Sequence, residues 1–220
     1  MTQMSRVIAL TGFEAFANFK VNPSWEAVRT FDGKNFSSCE VKSFKIPLVF
    51  EKIKPSIAEI IKTQRPAAVV GLGQSYRPLI SLEKIAINLA DLTGSTVLYN
   101  CGTRPRDKIL EPNAPAAYFT RLPLLGILTR LGQIDIPAEI SYTAGTFGCN
   151  QLFFHMMHEL HCERSKTLAG FIHVPCLPEQ AAQLQRAGKP RVPSMNLKMT
   201  IQALDVAIKA TVDNLEETNL

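Results

Sequence analysis

AEISYTAGTFGCNQLFFHMMHEL, residues 138–160, is the stretch in which the fold and the chemistry of this chain are read together. Glu139–Tyr142 has the length and composition of a strand, a loop carrying Gly145 and Gly148 follows, and Asn150–His161 has helical periodicity, with Cys149 at its opening. At 100° per residue from Leu152, the residues Phe153, Met156, Met157 and Leu160 fall within about 140°, which makes one face of the helix apolar. Cys149 falls at about 60°, in the middle of that face. The unpaired N–H groups and the positive dipole end at a helix start favour a thiolate and can hold an oxyanion. The same place also suits a small residue that only packs, because free cysteine is among the most buried residue types. A partner base has to decide between the two.

Working outward, the alternation continues. Arg6–Thr11 reads as a strand ended by Gly12, and Asn22-Pro23-Ser24 opens a helix to about Thr30. Glu40–Ile46 reads as a strand, Pro55–Lys62 as a helix, and Ala67–Gly71 and Leu82–Leu89 as strands, the first of them buried. Pro123–Leu131 is helical, Thr167–His173 a strand, and PEQAAQLQ from Pro178 helical; Met195–Leu215 is the last helix, with Ser194 as its N-cap. Strands that alternate with helices predict an α/β fold, a three-layer α/β/α sandwich around a mostly parallel twisted sheet, with sites at the carboxyl ends of the strands. Thr93–Pro115 is rich in Gly, Pro and Asn and has little periodicity, so it is expected to be a surface excursion that covers a site. Nothing resembles a domain linker; Pro190-Arg191-Val192-Pro193 reads as a loop, and residues 1–220 as a single domain.

Composition narrows the function. The 220 residues are 46% hydrophobic and 20% charged, values of an ordinary globular chain. The net charge of +5 comes from scattered Lys and Arg, which argues against a nucleic-acid surface. No apolar run approaches the ~20 residues of a membrane span. The N-terminal MTQMSRVIALTGFEAF has too short an apolar run for a signal peptide and reads as the first strand. Five cysteines, an odd number without a CxxC pair, read as free thiols in a reducing, cytoplasmic setting.

Three of the four histidines, His155, His158 and His161, lie at about 300°, 240° and 180° on the helix of Cys149, away from the thiol. They are expected on a solvated face; HELH is not HExxH, and no metal is expected. His173 ends an apolar strand, on the edge where Cys149 should emerge, and can exchange a proton with the thiol, although a core histidine is the plain alternative. Glu83, in ISLEKIAINLAD, is the candidate acid that orients the imidazole; the alternative is an exposed edge strand. VVGLGQS, from Val69, lacks the third glycine of a dinucleotide fingerprint, so a nucleotide-binding protein is the weaker reading.

Several separated segments together resemble one family: TGFEAF and VNPSWEAV, LEKIAIN, PAAYF, TAGTFGCN and GFIHVPCLPEQ. The chain is similar to the type I pyroglutamyl peptidases, cysteine peptidases of the cytosol, over nearly its whole length. The resemblance implies release of an N-terminal pyroglutamyl residue from peptides, an α/β/α sandwich, a homotetramer and no metal or organic cofactor. It implies Cys149 as nucleophile, His173 as general base and Glu83 as the orienting acid. Phe13, Phe16 and Phe147 match the phenylalanines that line the family's substrate pocket, and Gly73 with Gln74 match its substrate loop. A flat, uncharged lactam suits such apolar walls with backbone groups for its N–H and C=O. The chain differs from the family at Thr93, where the family has Arg, at Gly148, where it has a branched apolar residue, and at Gly73, where its Gln falls. A family member that only binds its ligand is the remaining alternative.

Overall fold

The computed structural model describes residues 6–189 and 191–218; Met1–Ser5 of the N-terminal reading and Pro190 of the loop before the last helix lie outside the described residues. Among the described residues, nine strands and six α-helices run in the order β1 (Arg6–Phe13), α1 (Pro23–Val28), β2 (Asn35–Phe36), β3 (Cys39–Ile46), α2 (Phe50–Gln64), β4 (Ala68–Ser75), β5 (Ile80–Glu83), β6 (Ile85–Ile87), β7 (Ala117–Phe119), α3 (Leu124–Gly132), β8 (Ala138–Ser141), α4 (Gly148–Cys162), β9 (Leu168–Pro175), α5 (Pro178–Arg186) and α6 (Leu197–Glu217). Seven strands form one sheet in the order β2-β3-β1-β4-β9-β5-β8. Its centre, β3-β1-β4-β9, is parallel, while β5 runs antiparallel to β9 and β8 parallel to β5.

Central strands buried on both faces need unbroken apolar runs, and Ile8, Ala9 and Leu10 of β1 and Ala68, Val69 and Val70 of β4 are fully buried. Helices cover both faces. One apolar cluster joins the sheet to α1, α3 and α6 through residues such as Ala27, Ile127 and Leu204, and a second joins it to α2 and α4 through Ile53, Ile57, Leu152 and Phe153. This is the three-layer α/β/α arrangement with a mostly parallel sheet.

Several boundaries differ from the sequence reading, each for a local reason. Helix α2 starts at Phe50, ahead of Pro55, because the Val49 carbonyl closes the first turn with Lys52 and Ile53. Pro55 is exposed, so the one carbonyl it leaves unpaired can meet water. Helix α6 is capped not by Ser194 but by Asn196, whose Oδ1 accepts from Met199 N at 2.8 Å, while Ser194 bridges to Cys176. The stretch Leu82–Leu89 is not one strand. It breaks at Lys84, whose N–H goes to Ser141 O and whose carbonyl takes Thr120 N, and β6 then pairs with β7 in a separate two-stranded sheet.

That small sheet and the excursion between its two strands correct a second expectation. His155 is buried, 3% exposed, and not on a solvated face. Its ring lies 3.4 Å from Glu111 of the excursion, whose backbone is clamped by Asn88 and whose carboxylate also pairs with Lys54 of α2. Burial, against the pull of Glu111, lowers the His155 pKa to about 4, so the imidazole is neutral. His158 is half-buried beside Tyr118, at 2.9 Å, and only His161 is exposed. Helical periodicity could not show this, because the cover comes from segments 40 or more residues away.

Candidate active site

The three candidate groups approach from three elements. Strand β9 brings His173 into register with Gly73 of β4 on one side and Ser81 of β5 on the other. Glu83 stands opposite Phe171, diagonal to His173, where side chains on one face of an antiparallel pair can meet. His173 Nδ1 donates to Glu83 Oε1 at 2.7 Å, which leaves Nε2 for the other side of the ring. Strand β5 is not an edge, since β9 and β8 flank it, and Glu83 is fully buried.

The first turn of α4 supplies Cys149. Phe147 is the N-cap residue and makes no side-chain cap, so the leading N–H groups of the helix stay open beside the thiol. Cys149 is half-buried against the second apolar cluster, as are Phe16 and Phe147; Phe13 is a fully buried member of it. Its sulfur lies against the backbone of β4: a Cβ on Gly73 would stand 2.5 Å from Cys149 Sγ and 2.8 Å from Phe171 Cζ. Gly73 therefore makes room for both the thiol and the ring that packs edge-on to His173, centroids 5.1 Å apart.

Electrostatics ties the three together. Burial opposes a charge on His173, but hydrogen bonding and negative charge at Cys149 and Glu83 outweigh it and raise the pKa to about 9. The His173 imidazole is therefore held in its charged form at neutral pH, beside Cys149. Among the described residues no three His, Cys, Asp or Glu side chains converge as a metal site, and no helix is long and apolar enough to cross a membrane.

Residues 6–214 match the pyroglutamyl peptidase family model. The chain belongs to the pyroglutamyl peptidase family. It is 38% identical over 203 residues to a pyrrolidone-carboxylate peptidase of Cupriavidus taiwanensis, covering 91% of this chain and 90% of that one. A Bacillus cereus pyrrolidone-carboxylate peptidase is 36% identical over 94% of this chain and 93% of its own. The structure of pyroglutamyl peptidase I from Bacillus amyloliquefaciens superposes with a TM-score of 0.87 at 36% identity, covering 94% of this chain and 95% of the other. A mutant pyrrolidone carboxyl peptidase from the hyperthermophile Pyrococcus furiosus gives 0.89 at 33% identity, covering 95% and 99%.

Within this pyroglutamyl peptidase fold, several neighbours of the site escaped the sequence reading. Arg77 donates to Glu83 Oε1 at 3.1 Å, the oxygen that His173 uses, and to Ser141 Oγ at 2.6 Å and Thr143 O at 2.8 Å. It thus joins the buried acid to the loop that leads into Cys149. The available signal was a lone cation just ahead of a strand with an inward acid. Asn150 ties the first turn of α4 to β6 through three bonds with the backbone of Ile87 and Leu89. Glu14 and Asn100 fasten the first loop to the excursion: Glu14 Oε1 accepts from Leu48 N and Asn100 Nδ2, and Asn100 Nδ2 also reaches Ala15 O. The 93–115 segment does lie over the Cys149 region, through Tyr99 packed on Phe147 at 4.6 Å. Gln74 is oriented by Gln180 Nε2, at 3.2 Å from its Oε1. At Gly148 a Cβ would collide with Leu48 Cδ1 and stand 3.7 Å from Tyr99, so a branched residue would not fit these neighbours unmoved.

Proposed function

We propose that this chain removes N-terminal pyroglutamyl residues from peptides by acyl transfer to Cys149. The observation that carries the reading is the position of His173, hydrogen-bonded to a buried Glu83 at 2.7 Å and raised in pKa to about 9 by Cys149 and Glu83 together. That is the setting a thiol nucleophile needs: a base that takes its proton and an acid that fixes the tautomer of the base. The thiolate attacks the pyroglutamyl carbonyl, and the open N–H groups at the start of α4 take up the oxyanion. His173 then protonates the departing amine and, as a neutral base, draws a proton from the water that cleaves the thioester. Phe13, Phe16 and Phe147 form the apolar walls of the pocket, with Gly73, Gln74 and Gly148 beside them.

The proposal includes a reducing, cytoplasmic setting, since the nucleophile is a free thiol, and a homotetramer, on the strength of family resemblance. The test is hydrolysis of a pyroglutamyl amide with a fluorescent leaving group in the presence of reductant. Turnover that Cys149→Ser abolishes is expected. No turnover by the folded protein, or equal turnover by Cys149→Ser, would overturn the reading; binding without turnover would leave a ligand-binding member of the family.

A further inference from the structure

Tyr99 sits in the irregular excursion and yet is 2% exposed. Its ring lies edge-on to Phe147 at 4.6 Å and to Phe50 at 5.3 Å. Its hydroxyl is buried and has no hydrogen-bond partner among the described residues. A buried tyrosine hydroxyl normally finds a partner, so one left open in a packed wall calls for a reason.

The surroundings supply one. The next residue, Asn100, is anchored through its N–H to Leu48 O and through its side chain to Glu14 and Ala15, which places Tyr99 between the Phe13–Phe16 segment at the end of β1 and the loop carrying Phe147. Gly148, beside the nucleophile, borders the Tyr99 ring, since a Cβ there would stand 3.7 Å from Tyr99 Cε1. Burial, and then the negative charge of Cys149, oppose ionisation of the phenol, so it stays a donor beside the nucleophile.

We propose that Tyr99 is a substrate-binding residue whose hydroxyl donates a hydrogen bond to the ring carbonyl of the pyroglutamyl group. This rests on the peptidase reading and adds to it a source of selectivity. A prolyl N-terminus has the same ring size but no ring carbonyl, and its nitrogen carries a charge. Such a ring leaves the Tyr99 hydroxyl unpaired and puts a cation against Phe13, Phe16 and Phe147. A site built to hydrogen-bond one group rejects the analogue that lacks it more strongly than shape alone allows.

The probe is 2-pyrrolidone, the bare γ-lactam, with its affinity measured by ligand-observed NMR on wild type and Tyr99→Phe, beside turnover of the fluorogenic amide. Tyr99→Phe keeps the packing of the ring, so its melting temperature should equal or exceed that of wild type, because an unpaired buried hydroxyl is removed. The expected result is 2-pyrrolidone affinity lower by about 5- to 10-fold, with KM raised to match and kcat within twofold. Unchanged affinity overturns the inference, whether or not the melting temperature falls. Lactam binding that weakens in Tyr99→Phe without any turnover would sink the peptidase reading and keep the lactam site. Turnover with no effect of Tyr99→Phe on KM or affinity would do the reverse.

Discussion

Replacing Gly73 by alanine adds one methyl group at the most crowded point of the site. The added Cβ would lie 2.5 Å from Cys149 Sγ, 2.8 Å from Phe171 Cζ and 3.1 Å from Phe171 Cε1. Non-bonded carbon contacts settle near 3.5–4.0 Å, so the sulfur or the β4 backbone has to give way by about 1 Å. The β4 backbone has little freedom, because it is paired with β9 along its whole length, Gly73 included, and with β1 as far as Leu72, and Phe171 is fully buried. The thiol is the part that yields. A displacement of about 1 Å in a reacting group costs roughly 10²-fold in rate. Overpacking in a dense core adds roughly 1–3 kcal/mol of destabilisation, which for a chain of this size is a fall in Tm of about 2–12 °C. The assay pairs kcat on the fluorogenic pyroglutamyl amide with the rate of Cys149 alkylation by iodoacetamide, since both depend on where the thiol sits relative to His173. Gly148→Ala is the control: its Cβ meets Leu48 Cδ1, the free end of a rotatable side chain, and otherwise ordinary contacts at 3.6 and 3.7 Å. It should cost no more than about threefold, because a rotamer change can absorb the methyl group. If Gly73→Ala keeps kcat within threefold of wild type, the close approach of Cys149 to β4 does not set the geometry of attack, and the reasoning fails.

Further outcomes follow from the charges. His173 must carry a proton to release the amine, so kcat/KM should fall as pH rises through about 9. Glu83→Gln removes one of the influences that raise the pKa, which should move this limb to lower pH and cut kcat by roughly 10²–10⁴-fold; a limb that stays in place would refute the assignment. Because the folded pKa lies above the unfolded value of 6.5, the same histidine stabilises the fold fully below pH 6.5 and loses that contribution as pH rises through about 9. Arg77→Met should lower kcat about tenfold, since Glu83 then has His173 alone to hold it in place, and stability by roughly 1–3 kcal/mol because Arg77 is partly exposed. An unchanged kcat in that variant would show that Arg77 only fills space. His155 behaves in the opposite sense: its folded pKa of about 4 lies below 6.5, so the unfolded chain binds the extra proton and stability falls as pH drops from 6.5 towards 4. Urea titrations at pH 7 and pH 5 should show a loss of about 1–2 kcal/mol that is absent in His155→Leu; equal losses in both proteins would place the acid sensitivity elsewhere.

The role of the 93–115 excursion was partly legible. Its lack of periodicity marked it as a covering segment, but that Tyr99 would be the residue turned inward had no sequence signal, since a tyrosine in a loop is usually read as exposed. Glu83 was the weakest of the three catalytic candidates as a residue, because an acid followed by Lys84 in a short strand suits an exposed edge equally well. What buries it is β8, a strand 55 residues further on that pairs with β5. Arg77 was missed for the same reason: its partners Ser141 and Thr143 are more than 60 residues away.

By itself the sequence determined the period of each element, and so the layers. Unbroken apolar runs have to be central strands, amphipathic runs have to lie over them, and a cysteine at the start of a helix has to meet the open N–H groups there, since these follow from backbone geometry within a few residues. Only the tertiary structure decided which polar groups are buried and which partners they find. His155 became a neutral core residue, His173 a charged one and Glu83 a fully dehydrated acid. The physical reason is that a pKa and a hydrogen bond depend on everything within a few ångströms, and those neighbours come from strands and loops that chain order does not place together.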